Sequence, residues 1–556
     1  MTSVPAQTKA ADSDAPLGSP RAGLSQLARS TVIVMVAFGA AKAISLLQTL
    51  IIADVFGVGR EWDAYVTANR IPEQIFNLIA GGVLAHAFIP IFSGFLARND
   101  RMGAWRIASH VINTAFLVTL VISALSFISA PWLVANVVSP GFDAQAQAET
   151  VGLMRLLLLS TLIFSLSGIA MGILQSFNSF LLPSLAPILF DLGILFGAAF
   201  LIQPLGTYGI AVGAVLGAAL HLGIQVPGLI RHRVRWLPEF GWRDPTLHRV
   251  IRLMIPRMFD LGLFSFTAIA ANNIASRLGE GAVSALDWGW RLMQIPQTLI
   301  GTAMGTVIFP TLSALSELGD IDGKREAMSG AVRFILIGTI PSAVGLIVVG
   351  MPLVGLLEGG AFDAAATALV YSTLRFFALG IIVHSILEII ARSFYADKDT
   401  FTPLLVAFGG AAVNLFTALL VTGILTGDSP DVNRVGGLAL ANTLGVTFEV
   451  VVLSIILRRR WRGLNENVLA RSAAKTLIAS LIMAAAIIAL QGLWQIIGPV
   501  NPGRIVAAGL VTVEIGVGAL VFFGAALVLR MEELGTLWRL IRRRADAPAA
   551  SGEAAS

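Results

Sequence analysis

Apolar and polar positions along this chain fall into blocks, with each apolar block running for about twenty residues before a charged, glycine- or proline-marked break. A helix rises about 1.5 Å per residue, so such a block covers a hydrocarbon layer of roughly 30 Å. The pattern predicts helices over 31–53, 74–97, 107–133, 151–177, 181–203, 206–230 and 250–275. It continues over 288–313, 331–351, 372–392, 402–423, 436–457, 475–495 and 505–530. The expected fold is an all-α polytopic membrane protein with about fourteen transmembrane helices. Polar stretches at Glu73–Gln74 and Asp287–Arg291 interrupt the second and eighth blocks. Such residues at membrane depth point to a wet cavity.

Charge in the breaks sets an orientation. One side carries Arg98, Arg101 and Arg106, then Arg231, Arg233, Arg235 and Arg243, then Lys324 and Arg325, then Arg458, Arg459 and Arg460. The other side has isolated residues such as Arg60, Arg277, Arg434 and Arg504. Basic loops stay cytoplasmic, so an even number of spans with both termini in the cytoplasm fits every break. Residues 1–30 read as a disordered leader and 531–556 as a cytoplasmic tail. The block from Thr31 is long enough to remain as a span, unlike a cleaved signal.

The chain also repeats itself. Pro90 in FIPIFS falls on Pro310 in IFPTLS, 220 positions later (310 minus 90), and Asp143 in GFDA falls on Asp363 in AFDA. The same register pairs Arg155 with Arg375, Pro183 with Pro403 and Gly217 with Gly437. Each copy holds an even number of spans, which predicts two parallel six-helix lobes, 31–230 and 250–457, related by an axis along the membrane normal. Spans 13 and 14, over 475–530, stand outside that symmetry. A central cavity between the lobes follows.

Composition agrees: 56% of the 556 residues are hydrophobic, 13% are charged, and mean hydropathy is +0.82. A soluble domain runs nearer one quarter charged. Without cysteine, disulfides and thiolate metal sites are excluded. The six histidines have no zinc spacing, and no nucleophile elbow, P-loop or dinucleotide fingerprint stands in its required setting. A net charge of +5 sits beside apolar blocks, not on a separate polar domain, so no nucleic-acid partner is expected.

Ionisable residues inside apolar blocks are functional candidates, because burying a charge in lipid costs several kcal/mol unless it faces a cavity or a partner. Lys42, Arg155, Asp191, Arg257, Asp260, Arg291, Arg375, Glu388, Glu449 and Glu514 qualify. Arg257 and Asp260 share a helix face and are placed to neutralise each other. Arg291 follows Asp287 by one helical turn, either as an interfacial anchor with an intrahelical partner or as an anion binder in the cavity. Arg155 and Arg375 sit near span ends, where snorkelling competes with substrate contact. Glu388 and Glu449, with Asp260, are candidates for ion coupling, since a membrane carboxylate exchanges protons when its pKa rises.

FGVGREWDAYVTANRIPEQIFNLIAGGVLAHAFIPIFSGF, from Phe56 to Phe95, resembles the signature of the MurJ (MviN) lipid II flippases, members of the multidrug and oligosaccharide-lipid exporter superfamily. WGWRLMQIP at 288–296, GTVIFPTLS at 305–313, APILFDLGIL at 186–195 and SFYADKDTFTP at 393–403 extend the similarity over roughly residues 30–540. The resemblance implies fourteen helices, two lobes, a cationic central cavity and a groove for a lipid tail at spans 13 and 14. It also implies outward flipping of undecaprenyl-pyrophosphate-linked disaccharide-pentapeptide by alternating access in the bacterial cytoplasmic membrane. Arg291 falls on a cavity arginine of the family, Asp63 on its first-loop aspartate, Arg70 on a basic residue before the IP pair, and Lys42 on the first of two arginines in span 1. Gln48, Phe76 and Gly81 stand where the family carries charge.

The substrate site is therefore expected at Lys42, Gln48, Asp63, Arg70, Arg291 and Arg375, with Lys42 and Arg291 meeting a pyrophosphate from opposite lobes. No cofactor is expected, and coupling would be to membrane potential, Na+ or H+. Expected partners are the lipid-linked glycan, membrane lipids and the cell-wall synthesis machinery. A multidrug exporter of the same superfamily, a non-transporting scaffold and a membrane enzyme are the competing readings. A cationic drug would want carboxylates in the cavity.

Overall fold

The computed structural model describes residues 44–45, 47–79, 82–177, 179–497 and 503–531, apart from the side chains of 82–86, 256, 257 and 260. Lys42, Gly81 and the side chains of Arg257 and Asp260 lie outside the described residues. Within them the elements are helices joined by turns and loops, with an isolated β-bridge between Gly359 and Phe362.

The helices of the first half are α1 (Leu47–Phe56), α2 (Arg60–Ile79), α3 (Gly82–Ala97), α4 (Arg101–Leu133), α5 (Ala144–Ser176), α6 (Leu181–Phe196) and α7 (Thr207–Gly223). Those of the second are α8 (Pro245–Ser276), α9 (Ala282–Gln297), α10 (Ala303–Glu317), α11 (Ile321–Gly355), α12 (Ala364–Ala396), α13 (Phe401–Val421) and α14 (Gly436–Trp461). Two more, α15 (Glu466–Ile497) and α16 (Arg504–Val528), pack against each other and against α11. Among the described residues, eleven helical stretches are long and apolar enough to cross a membrane. Three shorter apolar helices, Leu47–Phe56, Ala87–Ala97 and Leu261–Ser276, fall where the first, second and seventh spans are predicted. Several helices outrun their apolar blocks: Arg101–Val138 contains the predicted 107–133. Hydropathy marks only the lipid-facing middle, whereas backbone hydrogen bonding carries the helix on into water.

Aspartates start many of these helices. Asp100 accepts from Gly103 N at 2.8 Å and Asp320 from Gly323 N at 2.8 Å, while Asp143 and Asp363 accept from Ala146 N and Ala366 N, each at 2.7 Å. Each cap satisfies a backbone donor that has no partner within the helix. Proline interrupts others. After Pro131 and Pro296 the backbone widens to π-helical turns at Val134–Val138 and Thr298–Thr302.

Packing repeats between the halves: α5 lies against α2, α4 and α7, as α12 lies against α9, α11 and α14. Near Arg60 and Gly281 both halves contribute to one core, where Trp62 stacks on Trp288 at 5.7 Å and Phe362 meets Trp288 edge-on at 6.4 Å. Toward the opposite end the cores separate. Phe88, Phe92 and Trp105 centre one, joined by Leu247 and Val250 at the start of α8, and Leu312, Phe394 and Trp461 centre the other. The halves are thus fused at one end; at the other their cores part, with α8 joining that of the first half and polar residues of α2 and α9 between them.

Candidate functional site

On α9, Asp287, Arg291 and Gln294 are spaced by four and three residues and share a helix face. On α2, Asn69, Arg70 and Glu73 form the facing surface, and Phe264, Thr267 and Ala271 of α8 supply a third wall. Together they enclose a chamber of about 330 Å³.

At its centre Asp287 joins two arginines from distant parts of the chain. Its Oδ2 accepts from Arg291 Nε at 2.6 Å and its Oδ1 lies 3.7 Å from Arg70 Nη2. Arg70 also donates through Nε to Asn272 Oδ1 at 3.3 Å. Asn272 is buried and is held in turn by donation to Thr67 Oγ1 and to the carbonyl of Val138, each at 3.1 Å. The Arg291 side chain is 52% exposed to the chamber, against 8% for Asp287. The carboxylate is a buried strut, and the guanidinium beyond it is presented to whatever enters.

A second chamber, of about 410 Å³, adjoins the first and shares Tyr65, Asn69, Glu73 and Arg291 with it. It reaches into the first half to Gln48, Phe76, Asn77, Phe164, Phe190, Asp191 and His221. A third, of about 190 Å³, lies in the second half against His384, Asn414, Asn442 and Glu449.

The fused end seals the first two chambers. Asp63 is 2% exposed, accepting from the backbone N of Gly281 at 2.7 Å and of Ser284 at 2.6 Å, and from the Ser284 hydroxyl. Its carboxylate thus satisfies the start of α9 and compensates the positive end of that helix. Arg60 pairs with Asp143 at 3.0 Å and receives Glu280 on its backbone N at 3.1 Å, while Arg504 of α16 pairs with Asp54 at 3.1 Å.

Of the expected substrate residues, Arg70 lines the first chamber, Gln48 the second, and Arg291 both. Lys42 is not described, so its meeting with Arg291 has no counterpart here. Asp63 is placed differently from expectation: its oxygens are occupied by the α9 start, on the far side of the seal from the arginines. Arg375 is exposed and lies over Phe376, 5.0 Å from the ring centroid, away from the chambers. This is the snorkelling alternative. Glu388 is ion-paired with Arg392, one turn on, at 2.7 Å. That i, i+4 spacing was legible in the sequence. Glu449 borders the third chamber, and the Asp260 side chain is not described. The cavity the resemblance describes as cationic also carries carboxylates. Among the described residues, Arg70 and Arg291 share the two adjoining chambers with Glu73, Asp287 and Asp191. Asn272 was not foreseen, since its contact with Arg70 spans 202 positions and no local pattern announces it.

Comparison with known proteins fits this geometry. The profile of the family described as lipid II flippase MurJ matches residues 52–501. The lipid II flippase MurJ of Burkholderia cenocepacia is 29% identical over 429 residues, 75% of this chain and 81% of that protein. The probable lipid II flippase MurJ of Rhizobium tropici is 29% identical over 521 residues, 91% and 94% of the two chains. Among solved structures, a lipid II flippase MurJ in an inward closed conformation superposes with a TM-score of 0.73 at 22% identity, covering 90% of this chain and 99% of its own. An inward-facing multidrug resistance transporter of the MATE family, in the MOP superfamily, gives 0.64 at 15% identity, covering 78% and 99%. With its profile matched over most of its length, this multi-pass membrane chain belongs to the lipid II flippase MurJ family.

Proposed function

We propose that this protein carries lipid II, the undecaprenyl-pyrophosphate-linked peptidoglycan precursor, from the cytoplasmic to the outer leaflet by alternating access. The observation that carries this reading is the Arg70–Asp287–Arg291 bridge, which crosses between the halves inside a chamber sealed at one end. A pyrophosphate leaving the headgroup layer needs its charge compensated, and arginine forks match phosphate oxygens. Asp287 keeps the arginines paired while the site is empty, sparing an uncompensated buried charge. An entering pyrophosphate replaces that carboxylate, ties the halves together through its own oxygens, and couples occupancy to their movement.

The architecture that goes with this reading is fourteen spans in two parallel six-helix lobes, with α15 and α16 beside the second. The three short apolar helices added to the eleven long ones support the span count. The matched caps at Asp100 and Asp320, and at Asp143 and Asp363, support the lobes. The basic breaks support a cytoplasmic position for both termini. The seal at Asp63 then faces outward and the parted end faces the cytoplasm, the side from which a newly made precursor arrives. Coupling to membrane potential, Na+ or H+ belongs to this reading, with Glu449 as the carboxylate to test, and so does cooperation with the cell-wall synthesis machinery.

Glu73 and Asp191 favour a second reading, an exporter of cationic drugs, because carboxylates attract cations. The deciding experiment is depletion of a bacterium's own lipid II flippase while this chain is expressed. Restored growth supports lipid II; confirmed membrane insertion without rescue, together with efflux of a cationic dye, would transfer the assignment to the second reading.

A further inference from the structure

The second chamber has a chemistry that the phosphate-binding arginines do not use. Phe164 lies at its heart, its ring 5.0 Å from that of Phe76 and 5.0 Å from that of Phe190. These rings are half-buried and face the cavity, forming an apolar platform of the kind that packs against the C–H face of a sugar. Around them stand Gln48 and Asn77, whose amides both donate and accept, and Asp191 and Glu73, which accept from hydroxyls.

His221 completes the set, held by Ser167 and Gln225. Gln225 Nε2 donates to Ser167 Oγ at 2.8 Å and to the carbonyl of His221 at 2.9 Å. Ser167 Oγ lies 2.6 Å from His221 Nδ1, which fixes the ring against the chamber wall.

We propose that this first-half chamber is the subsite for the N-acetylated disaccharide of the substrate, resting on the reading of the protein as a lipid-linked glycan flippase. Hydroxyls and acetamido groups present both donors and acceptors without charge, matching the amides, carboxylates and imidazole. The pyrophosphate is held by Arg70 and Arg291 next door. Arg291 and Glu73 border both chambers, which keeps the two subsites contiguous, as a sugar joined to a pyrophosphate requires. At about 410 Å³ the chamber is within the range of ordinary small-molecule sites.

The test compares two short-chain, water-soluble probes on the full-length protein in lipid nanodiscs by calorimetry. One is a bare prenyl pyrophosphate, and the other is the same pyrophosphate bearing the N-acetylglucosamine–N-acetylmuramic acid disaccharide. Wild type should bind the glycosylated probe at least about tenfold more tightly than the bare one. Phe164→Ala, Phe164→Leu and Asp191→Asn should abolish most of that preference while leaving affinity for the bare probe unchanged. Arg291→Ala should weaken both. Retention of the preference in all three chamber variants, or equal binding of the two probes by wild type, would overturn the subsite alone. Loss of the bare probe in all three variants would assign these side chains to packing and overturn it as well. Failure of wild type to bind either probe would instead overturn the flippase reading on which it rests.

Discussion

Asp63 and Ser284 are 221 positions apart, yet the Asp63 carboxylate accepts the Ser284 backbone N–H at 2.6 Å and caps the helix that carries Arg291. Removing that carboxylate strands the donors of Gly281 and Ser284 inside a core, at a cost of about 1–3 kcal/mol. Asp63→Ala should therefore weaken the seal more than Asp63→Asn, which keeps an acceptor oxygen. The measurement is thiol labelling at Glu280→Cys, clean because the chain has no other cysteine. Faster labelling in Asp63→Ala is expected, and equal rates in the three backgrounds would deny the seal.

Arg291 is expected to dominate binding of the pyrophosphate. Losing a charge-assisted contact costs on the order of 1.5–3 kcal/mol, or roughly ten- to a hundredfold in affinity. Arg291→Ala should be the more damaging change, with Arg291→Lys restoring charge but not the fork. Transport of a fluorescent lipid-linked glycan in vesicles with matched amounts of folded protein measures this. Wild-type rates for Arg291→Ala would remove the arginine from the mechanism.

Asp287 competes with the substrate for the same guanidinium groups. Asp287→Asn should therefore tighten equilibrium binding of a pyrophosphate probe, by about tenfold, as one charge-assisted competitor disappears. Transport should slow, because release loses the group that reclaims the arginines. Binding that weakens in Asp287→Asn would mean the carboxylate chiefly positions Arg291.

At the parted end Asp397 is one acid-sensitive link. Burial alone would raise its pKa, but hydrogen bonds from Lys324 Nζ at 2.7 Å and Ser316 Oγ at 2.6 Å outweigh burial and hold the carboxyl below its usual range. A depressed folded value contributes stability above the ordinary aspartate pKa of about 3.9, and this is lost as pH falls through the folded value. The melting temperature should hold steady from neutral pH to just above that point and then drop. Asp397→Asn should lower the neutral plateau and shrink the acid drop. An acid profile parallel to wild type would exclude this link.

Glu449, beside the third chamber, is a candidate for ion coupling. Glu449→Gln should reduce transport driven by a proton or sodium gradient while leaving probe binding measurable. Glu388→Gln, which breaks the pair with Arg392, should act on folding yield instead. Transport by Glu449→Gln that still follows both gradients would retire the idea.

Much of this protein is present in its linear order. The apolar blocks dictate helices, since a backbone in lipid must satisfy its hydrogen bonds within its own segment. The register that pairs Asp143 with Asp363 needs no structure, and their matched helix caps follow from local chemistry. Even the pairs Asp287–Arg291 and Glu388–Arg392 are written in a four-residue spacing. Tertiary structure alone decided what meets across the chain. Asp63, which looked like a substrate ligand, was placed on a helix start, and Arg375 was left outside the chambers. Arg70 was brought through Asn272 to Asp287, and Phe164 was set between two further rings and beside His221. The reason is geometric. Helical periodicity fixes which residues share a face, but which faces oppose each other depends on how separate helices cross, and that is settled by packing among residues hundreds of positions apart.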